Sequence, residues 1–332
     1  MATTSKKSAS KKTKTTRKVA ATSTRKTTAK KPTNKRATTK VTSSVKDKSK
    51  NANTGSAVVS AKAVKVVPTA KSAAASSMNM LRQMNLIVGG LFAAMAGLIL
   101  WLSKPFAGIH EVTTAYPTKD ALASASGQSA IVTGTHHIVD LHLSWMIAAF
   151  MIVSAVSYLS LATWLRARYE REVGARVNRM RWITFAVSGS ILMMTIAMLA
   201  GITDLATHLS IVGFTVVASL VGLSREHYTQ NGERTRLIYG IGGLAAAGPW
   251  VLIAVYAFGA HQYGAGGTPT FVYWIYATGL VMYIALAKNL LLQTQGRGRW
   301  ADYTYAERAY VGLSLVGKAA IAAQIYAAVL KK

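Results

Sequence analysis

The fold of this chain is decided by Ala306-Glu-Arg-Ala-Tyr-Val-Gly-Leu-Ser-Leu-Val-Gly-Lys-Ala-Ala-Ile-Ala-Ala-Gln-Ile-Tyr-Ala-Ala-Val-Leu330. This run is apolar enough, and at about 1.5 Å per residue long enough, to cross a bilayer as one helix. Lys318 lies near its middle, too deep for the ammonium to snorkel to the surface. A charged amine at the bilayer centre costs ~2.5–3.5 kcal/mol, so Lys318 predicts a functional site. A Schiff base with an aldehyde would remove the free amine.

Six more segments have the length and hydrophobicity of a membrane span. They cover residues 84–103, 138–162, 182–201, 203–224, 237–259 and 270–292. With residues 306–330 they predict an all-α membrane protein, a bundle of seven helices within residues 81–332. The long connection 104–137 contains a β-prone stretch at 129–133, which favours a small hairpin.

The formal charge of +28 is concentrated at the N-terminus. Residues 1–80 contain 20 of the 39 Lys and Arg, one acid, and no aromatic, Leu or Ile residue. Such a segment cannot bury enough apolar surface to offset its ordering entropy, so the sequence predicts a disordered tail. The tail resembles histone-like basic tails, which bind anionic lipid or nucleic acid by counterion release. We favour lipid, because the tail has no aromatic residue to stack on bases.

The basic residues of the connections predict the orientation of the bundle. Connection 166–181 carries six Arg, and 225–236 and 297–299 add five more. Connection 258–269, at the opposite end, has none. The positive-inside rule therefore places the N-terminus in the cytoplasm and the C-terminus outside.

The chain resembles heliorhodopsins, whose topology is inverted relative to ordinary microbial and animal rhodopsins. The motifs that carry the resemblance are Gly296-Arg-Gly-Arg-Trp300, Glu307-Arg-Ala-Tyr310, Leu313-Ser-Leu-Val-Gly-Lys318, Gly201-Ile-Thr-Asp204, Tyr228-Thr-Gln230, Pro249-Trp250, Phe271-Val-Tyr273 and Arg181-Trp182. The resemblance implies all-trans retinal bound to Lys318 as a Schiff base and isomerised by light. It also implies a seven-helix rhodopsin-like fold, a homodimer in the membrane and light sensing rather than pumping, with ion transport in some members. We expect no enzymatic activity.

A protonated Schiff base inside a membrane needs a negative partner. In heliorhodopsins this counterion is a Glu three residues after the arginine that corresponds to Arg181. This chain has Thr184 at that position. Four residues before the lysine, where pumps carry an Asp, it has Ser314, as the family does. Both positions that could supply a nearby carboxylate are therefore without one.

Three solutions to the missing counterion stay open. A chloride ion could lie between Thr184, Ser188 and the Schiff base, as in anion-pumping rhodopsins with a Thr at this position. Another acid could reach the site, and Asp140 on the predicted second span is the best candidate. The third solution is a Schiff base that is unprotonated in the dark, because burial without a partner disfavours the charged form.

Two more groups of residues follow from the resemblance. A polar network in the inner half comprises Tyr169, Asn178, Arg181, Tyr303 and Glu307. In it Glu307 pairs with Arg181, although an acid at a helix start is also favoured by the dipole alone. An aromatic wall against retinal comprises Trp182, Phe185, Trp250 and Tyr283, with Pro249 beside it, although these residues could equally be packing residues and a kink.

The leading hypothesis is a heliorhodopsin-like photoreceptor that relays retinal isomerisation to the cytoplasmic face. The second is a light-driven or light-gated anion or proton transporter. The third is a membrane tether that binds nucleic acid through its tail and would work without Lys318. The chain has no cysteine, and its seven histidines have no spacing that brings two side chains together, which argues against a metal site.

Overall fold

The computed structural model describes residues 70–104, 107–127, 130–230, 236–264 and 268–331. In these ranges the helices are α1 (Ala70–Leu102), α2 (Ala121–Ala125), α3 (Leu143–Ala162), α4 (Arg166–Gly174), α5 (Arg179–Leu199), α6 (Leu205–Gln230), α7 (Arg236–Tyr263), α8 (Thr270–Gln295) and α9 (Tyr303–Ile325). A 3₁₀ turn, Gly298–Ala301, precedes α9, and a π-helical segment, Tyr326–Leu330, continues it. The two strands are β1 (Ile109–Lys119) and β2 (Ile131–His142).

Seven of these helices are long and apolar enough to cross a membrane: α1, α3, α5, α6, α7, α8 and α9 with its π-helical extension. The predicted number and order of spans are therefore confirmed. The first helix starts earlier than predicted, because α1 begins at Ala70, before both the predicted span at 84–103 and the predicted domain boundary at 81. Residues 70–80 are rich in Ala, the best helix former, and continue the helix beyond the apolar window. The rest of the predicted disordered tail, residues 1–69, lies outside the described residues.

The predicted hairpin is present and is longer than the β-prone stretch indicated. β1 and β2 pair antiparallel from Ile109 with His142 to Lys119 with Ile131, with an irregularity between Val112 and Thr113. This ladder ends at His142, directly before α3, so the second span starts at Leu143 and not at 138. The apolar residues at 138–141 belong to a strand, which a hydropathy window cannot distinguish from a helix.

α1, α3, α5, α6 and α7 each pack on the next of these helices, α8 packs on α9, and α9 returns to α1. The core contains large buried side chains from α1 and α3, including Phe92, Phe150 and Met151. α7 packs mainly on α6, whereas α8 packs mainly on α9. We call the end of the bundle that carries β1 and β2 the hairpin end, and the opposite end, with α4, the α4 end.

Candidate functional site

Lys318 lies in the middle of α9 and is buried, with an exposed fraction of 5%. Its Nζ atom donates to the hydroxyl oxygens of Ser154 at 2.6 Å and Ser188 at 2.8 Å. Both hydroxyls can donate in turn to the carbonyl oxygen of Phe150, at 2.7 and 2.8 Å. The Phe92 ring lies 5.7 Å from the nitrogen. The amine is thus held by α3 and α5 through neutral groups.

A cavity of about 350 Å³ adjoins Lys318 and is lined by side chains of α5, α6, α7, α8 and α9. All four predicted aromatic residues are in its wall: Trp182, Phe185, Trp250 and Tyr283. Ser314 lines the cavity as well, one turn before Lys318 on α9. Pro249 lies inside α7, directly before Trp250. The wall is otherwise almost entirely apolar, which is typical of a site for an apolar small molecule.

Two glycines allow aromatic rings to lie directly against the helices around this cavity. A Cβ atom on Gly222 of α6 would lie 2.1 Å from the Trp182 ring. A Cβ atom on Gly279 of α8 would lie 3.0 Å from the Trp250 ring and 3.2 Å from Ile196. Any larger residue at Gly222 would therefore displace the Trp182 side chain from the cavity wall.

A second cluster of polar side chains lies at the α4 end, around Arg181. Its guanidinium pairs with both Glu226 and Glu307, and all three side chains are buried. Tyr303 donates to Glu226 at 3.2 Å. The Tyr310 ring lies against the guanidinium, 3.9 Å from ring centre to carbon, a cation–π contact. The arginine is thus surrounded by carboxylates and aromatic rings.

The carboxylate of Glu307 connects this cluster to α4 and α5. It accepts a hydrogen bond from Asn178 Nδ2 at 2.9 Å and from the Tyr169 hydroxyl at 3.4 Å. Burial, and the nearby Glu307 carboxylate, raise the pKa of Tyr169 well above its ordinary value. The phenol therefore stays protonated and acts as a donor. The five residues of the predicted polar network all lie in this cluster.

The Arg181 cluster brings one guanidinium and two carboxylates, those of Glu226 and Glu307, together in the interior of the bundle. Such buried charges are costly unless hydrogen bonds satisfy them. Glu226 receives these bonds from Trp182 Nε1 at 2.8 Å, Gln293 Nε2 at 2.9 Å and the Asn178 backbone N–H at 3.1 Å. Trp182 thus belongs both to the cavity wall and to the charged cluster.

The heliorhodopsin family model matches residues 81–330 of this chain. The chain belongs to the heliorhodopsin family. Membership implies a retinal-binding, photoreceptor-type rhodopsin, and with seven apolar helices it makes the chain an integral, multi-pass membrane protein. The family is generally not enzymatic. No curated protein matches the chain.

Among solved structures, the chain is similar to the transmembrane domain of the Salpingoeca rosetta rhodopsin phosphodiesterase. The TM-score is 0.51 at 12% sequence identity, and the match covers 78% of this chain and 88% of that chain. At this identity the likeness supports the rhodopsin fold alone. The enzyme in that name belongs to the other protein.

Neither Asp140 nor Thr184 forms an ion pair or hydrogen bond with Lys318. Asp140 lies on β2, where its half-exposed carboxylate is 3.0 Å from His137, so its assignment to the second span is wrong. Thr184 lies one turn before Ser188, but its hydroxyl bonds Ser157 and the Met180 carbonyl rather than Lys318. Within the described part of the chain, no carboxylate lies within 4.0 Å of the Lys318 nitrogen.

Sequence reasoning missed two residues of this heliorhodopsin site. Glu226 lies two residues beyond the predicted end of the fourth span at 224, but α6 continues to Gln230 and places this carboxylate inside the bundle. The sequence did offer a signal for Glu226, because an acid within one turn of a predicted span end can still lie inside the bundle. Ser154 gave no comparable signal, because a serine in an apolar helix often bonds its own backbone. The described residues contain no group of three or more His, Cys, Asp or Glu that could hold a metal ion.

Proposed function

We propose that this heliorhodopsin is a light sensor in which Lys318 holds all-trans retinal as a Schiff base and the Arg181 cluster relays the light signal to the α4 end. By the predicted orientation the α4 end faces the cytoplasm. The observation that carries the proposal is the position of Lys318, a buried amine between neutral hydroxyls at the wall of a largely apolar cavity. An amine in such a place is stabilised by losing its free charge.

The residues around the cavity fit a polyene. The volume of about 350 Å³ is within the range of small-molecule sites. Trp182, Phe185, Trp250 and Tyr283 offer flat aromatic faces, and Gly279 allows Trp250 to lie close to α8. Retinal, when bound, supplies light absorption and the isomerisation of a double bond. The protein supplies the attachment site, the shape of the cavity and the exclusion of water.

The carboxylate of Glu307 is too far along α9 to act as the charge partner of Lys318. Glu307 lies eleven residues away on α9, or about 16 Å at 1.5 Å per residue. At an effective dielectric constant of about 20 their attraction is ~1 kcal/mol. This is less than the ~1.4 kcal/mol that changes an equilibrium tenfold. Two of the three predicted solutions therefore continue as proposals: an anion such as chloride beside Ser188, or a neutral Schiff base.

The relay runs through Trp182 and Tyr310. Trp182 lines the cavity while its indole N–H donates to Glu226 at 2.8 Å. Tyr310 also lines the cavity, and its ring lies against the guanidinium of Arg181. A change in the shape of the cavity moves these rings, because well-packed side chains cannot adjust independently. The movement alters the hydrogen bonds of the buried ion pairs at the α4 end.

The test is an absorption spectrum of the purified protein with all-trans retinal, titrated with chloride and with pH, beside the Lys318→Ala variant. We expect a retinal band that vanishes in Lys318→Ala. A visible band that shifts with chloride would indicate a bound anion, whereas a near-ultraviolet band that ignores chloride would indicate a neutral Schiff base. A band that persists in Lys318→Ala would overturn the proposal.

The Arg181 cluster weighs against the transport hypothesis. It fills the α4 end with ion pairs and leaves a cavity of only about 10 Å³, lined in part by Asn85, Thr184 and Glu307. This is close to the space that one water molecule needs. We expect no light-driven current under voltage clamp, and a current that follows chloride would replace the sensor by a transporter. The nucleic-acid tether depends on residues 1–69, outside the described residues.

A further inference from the structure

His208 lies near the start of α6, at the hairpin end, and is buried with an exposed fraction of 1%. Its Nε2 atom is 3.0 Å from the carbonyl oxygen of Ile202, in the turn that joins α5 to α6. A carbonyl oxygen only accepts, so this nitrogen carries the hydrogen and donates. The Nδ1 atom is also buried and has no hydrogen-bond partner in the described part of the chain. The ring therefore fits this site as a neutral imidazole.

The hairpin of β1 and β2 contacts the bundle at the same turn that His208 holds. The backbone N–H of Thr113 on β1 donates to the carbonyl oxygen of Thr203 at 2.9 Å. Thr113 also forms a parallel bridge with Asp204. The irregularity of the β1–β2 ladder falls at this contact, directly after the buried Val112. The departure from a regular ladder thus coincides with the attachment of the hairpin to the helices.

Asp204 connects the hairpin to the start of α6. Its Oδ2 atom accepts hydrogen bonds from the backbone N–H of Thr207 at 2.8 Å and from the Thr207 hydroxyl at 2.9 Å. These bonds satisfy a free donor of the first helical turn, as an N-cap residue does. Asp204 lies four residues before His208, a spacing that makes two residues neighbours on a helix. In the described ranges, however, no carboxylate lies within 4.0 Å of the imidazole nitrogens.

A proton taken up at Nδ1 would place a positive charge and a second N–H donor where no acceptor is available. Burying a charge without a partner is costly. The titratable groups that act on the ring are Asp204 and His110 of β1, and no such group of α5 or α7 in the described ranges does so. A charged His110 would repel a charged His208. The Asp204 carboxylate compensates the charge only by leaving Thr207, which removes the cap and moves the residue bridged to Thr113.

We propose that His208 is a proton-sensitive latch for the hairpin: the neutral ring holds β1 on the turn between α5 and α6, and the protonated ring releases it. Histidine suits this role because its charge ordinarily changes within the physiological pH range. By the predicted orientation the hairpin end faces the outside, so the latch responds to the acidity of that side. The inference goes beyond the light-sensor proposal and does not depend on the chemistry of Lys318.

The test measures hairpin docking in the full chain, in the dark and without retinal, so that failure of the sensor proposal does not affect the result. The chain has no cysteine, so Thr118→Cys on β1 and Leu209→Cys on α6, both exposed, carry a pair of spin labels. We expect acidification from about pH 8 to about pH 5 to lengthen the distance between the labels. For a one-proton latch, the ratio of released to docked hairpin rises by up to about tenfold per pH unit.

The decisive variant is His208→Gln, which keeps an N–H group near the Nε2 position and takes up no proton. We expect its label distances to be the same at every pH in this range. An equal response to acid in His208→Gln and in the parent would overturn the proposal.

Matched variants identify the group that takes up the proton. His136→Gln, at an exposed histidine of β2, should keep the full response. Asp204→Asn preserves an N-cap residue and removes the carboxylate that compensates the charged ring, so its response should begin at lower pH. A response lost in His110→Gln but retained in His208→Gln would assign the proton to His110 and overturn the proposal. Should His208→Gln fail to fold, amide hydrogen exchange at Thr113 in the parent, corrected for its intrinsic pH dependence, decides: protection unchanged by acid would also overturn it.

Discussion

Lys318 and Arg181 are both buried cations in the same bundle, yet their surroundings are opposite. Lys318 contacts two serine hydroxyls and no carboxylate in the described ranges, whereas Arg181 pairs with two glutamates and lies against the ring of Tyr310. The difference follows from their chemistry. An arginine is always charged and must be compensated in place. A lysine can lose its proton or react with an aldehyde, so it tolerates a neutral pocket.

The comparison assigns the two regions different tasks. The neutral pocket at Lys318 suits a reactive amine whose charge is controlled by what binds to it. The Arg181 cluster is a fixed set of charges in which any displaced partner is costly. Trp182 touches both regions, as a wall of the cavity and as a donor to Glu226. In the proposed relay, a change in the shape of the cavity beside Lys318 alters the hydrogen bonds of the Arg181 cluster through Trp182.

The largest expected effect is the loss of Arg181. Arg181→Met leaves Glu226 and Glu307 buried without a counter-charge, and we expect the free energy of unfolding to fall by about 3–5 kcal/mol. Denaturant unfolding in detergent measures it. The triple variant Arg181→Met, Glu226→Gln, Glu307→Gln should recover part of the loss, because no charge is then left unpaired. A loss below about 1 kcal/mol in the single variant would contradict the role given to this cluster.

The next effect concerns the contact between the two regions. Gly222→Ala places a methyl group where the Trp182 ring lies, and we expect about 1–3 kcal/mol of destabilisation together with a shifted retinal band. Gly243→Ala is the matched control, since Gly243 lines the same cavity and a Cβ atom there meets nothing within 4 Å. It should be neutral or slightly stabilising, because Ala is the better helix former. Equal behaviour of the two variants would remove the argument for a constrained Trp182.

A smaller effect is expected at the neutral pocket. Ser154→Ala and Ser188→Ala each remove one hydrogen bond to the Lys318 nitrogen, worth about 1 kcal/mol. We expect each variant to shift the retinal band and to change its response to chloride. Ser210→Ala, at an exposed serine of α6 that bonds only its own helix, is the control and should leave the band in place. Spectra identical to the parent would mean that these hydroxyls do not contact the chromophore site.

The smallest effect is the pH dependence that Tyr169 contributes. Burial and the nearby Glu307 carboxylate raise its pKa in the folded state, so the folded protein holds this proton more tightly than the unfolded chain does. The resulting stability is complete below the unfolded value of about 10 and is lost as the pH rises through the higher folded pKa. Tyr169→Phe should therefore flatten the decline of stability between pH 9 and 11, by about 1 kcal/mol or less. The free energy of unfolding is measured by denaturant titration at each pH. If it declines with pH equally in Tyr169→Phe and in the parent, the phenol is not enclosed.

Hydropathy predicted the seven spans because the free energy gained by transferring some twenty apolar residues from water into the bilayer outweighs the other contributions to where such a segment lies. Hydropathy gave the wrong boundaries where this transfer free energy is small or where an apolar stretch fits a strand as well as a helix. Residues 70–80 are too polar to count as a span and still extend α1, while the apolar residues at 138–141 extend a strand. Lys318 was identified because one charge in a long apolar run is conspicuous.

The partners of the functional side chains were harder to predict. Glu226 and Ser154 come from helices far from α9 in sequence, and their contacts depend on how the helices are rotated in the bundle. Thr184 was predicted to stand at the counterion position, and the partner of its hydroxyl is Ser157 on α3. A single sequence does not specify such helix rotations, because every face of these helices is apolar enough to be buried or to meet lipid.

The most direct test of the coupling between the two regions is a light-induced infrared difference spectrum of the retinal-bound protein. We expect illumination to change the carboxylate bands of Glu226, identified by their loss in Glu226→Gln. In Trp182→Phe, which keeps an aromatic ring but removes the indole N–H, that change should be abolished while the retinal band remains. Glu226 bands that respond to light equally in the parent and in Trp182→Phe would contradict a relay through Trp182.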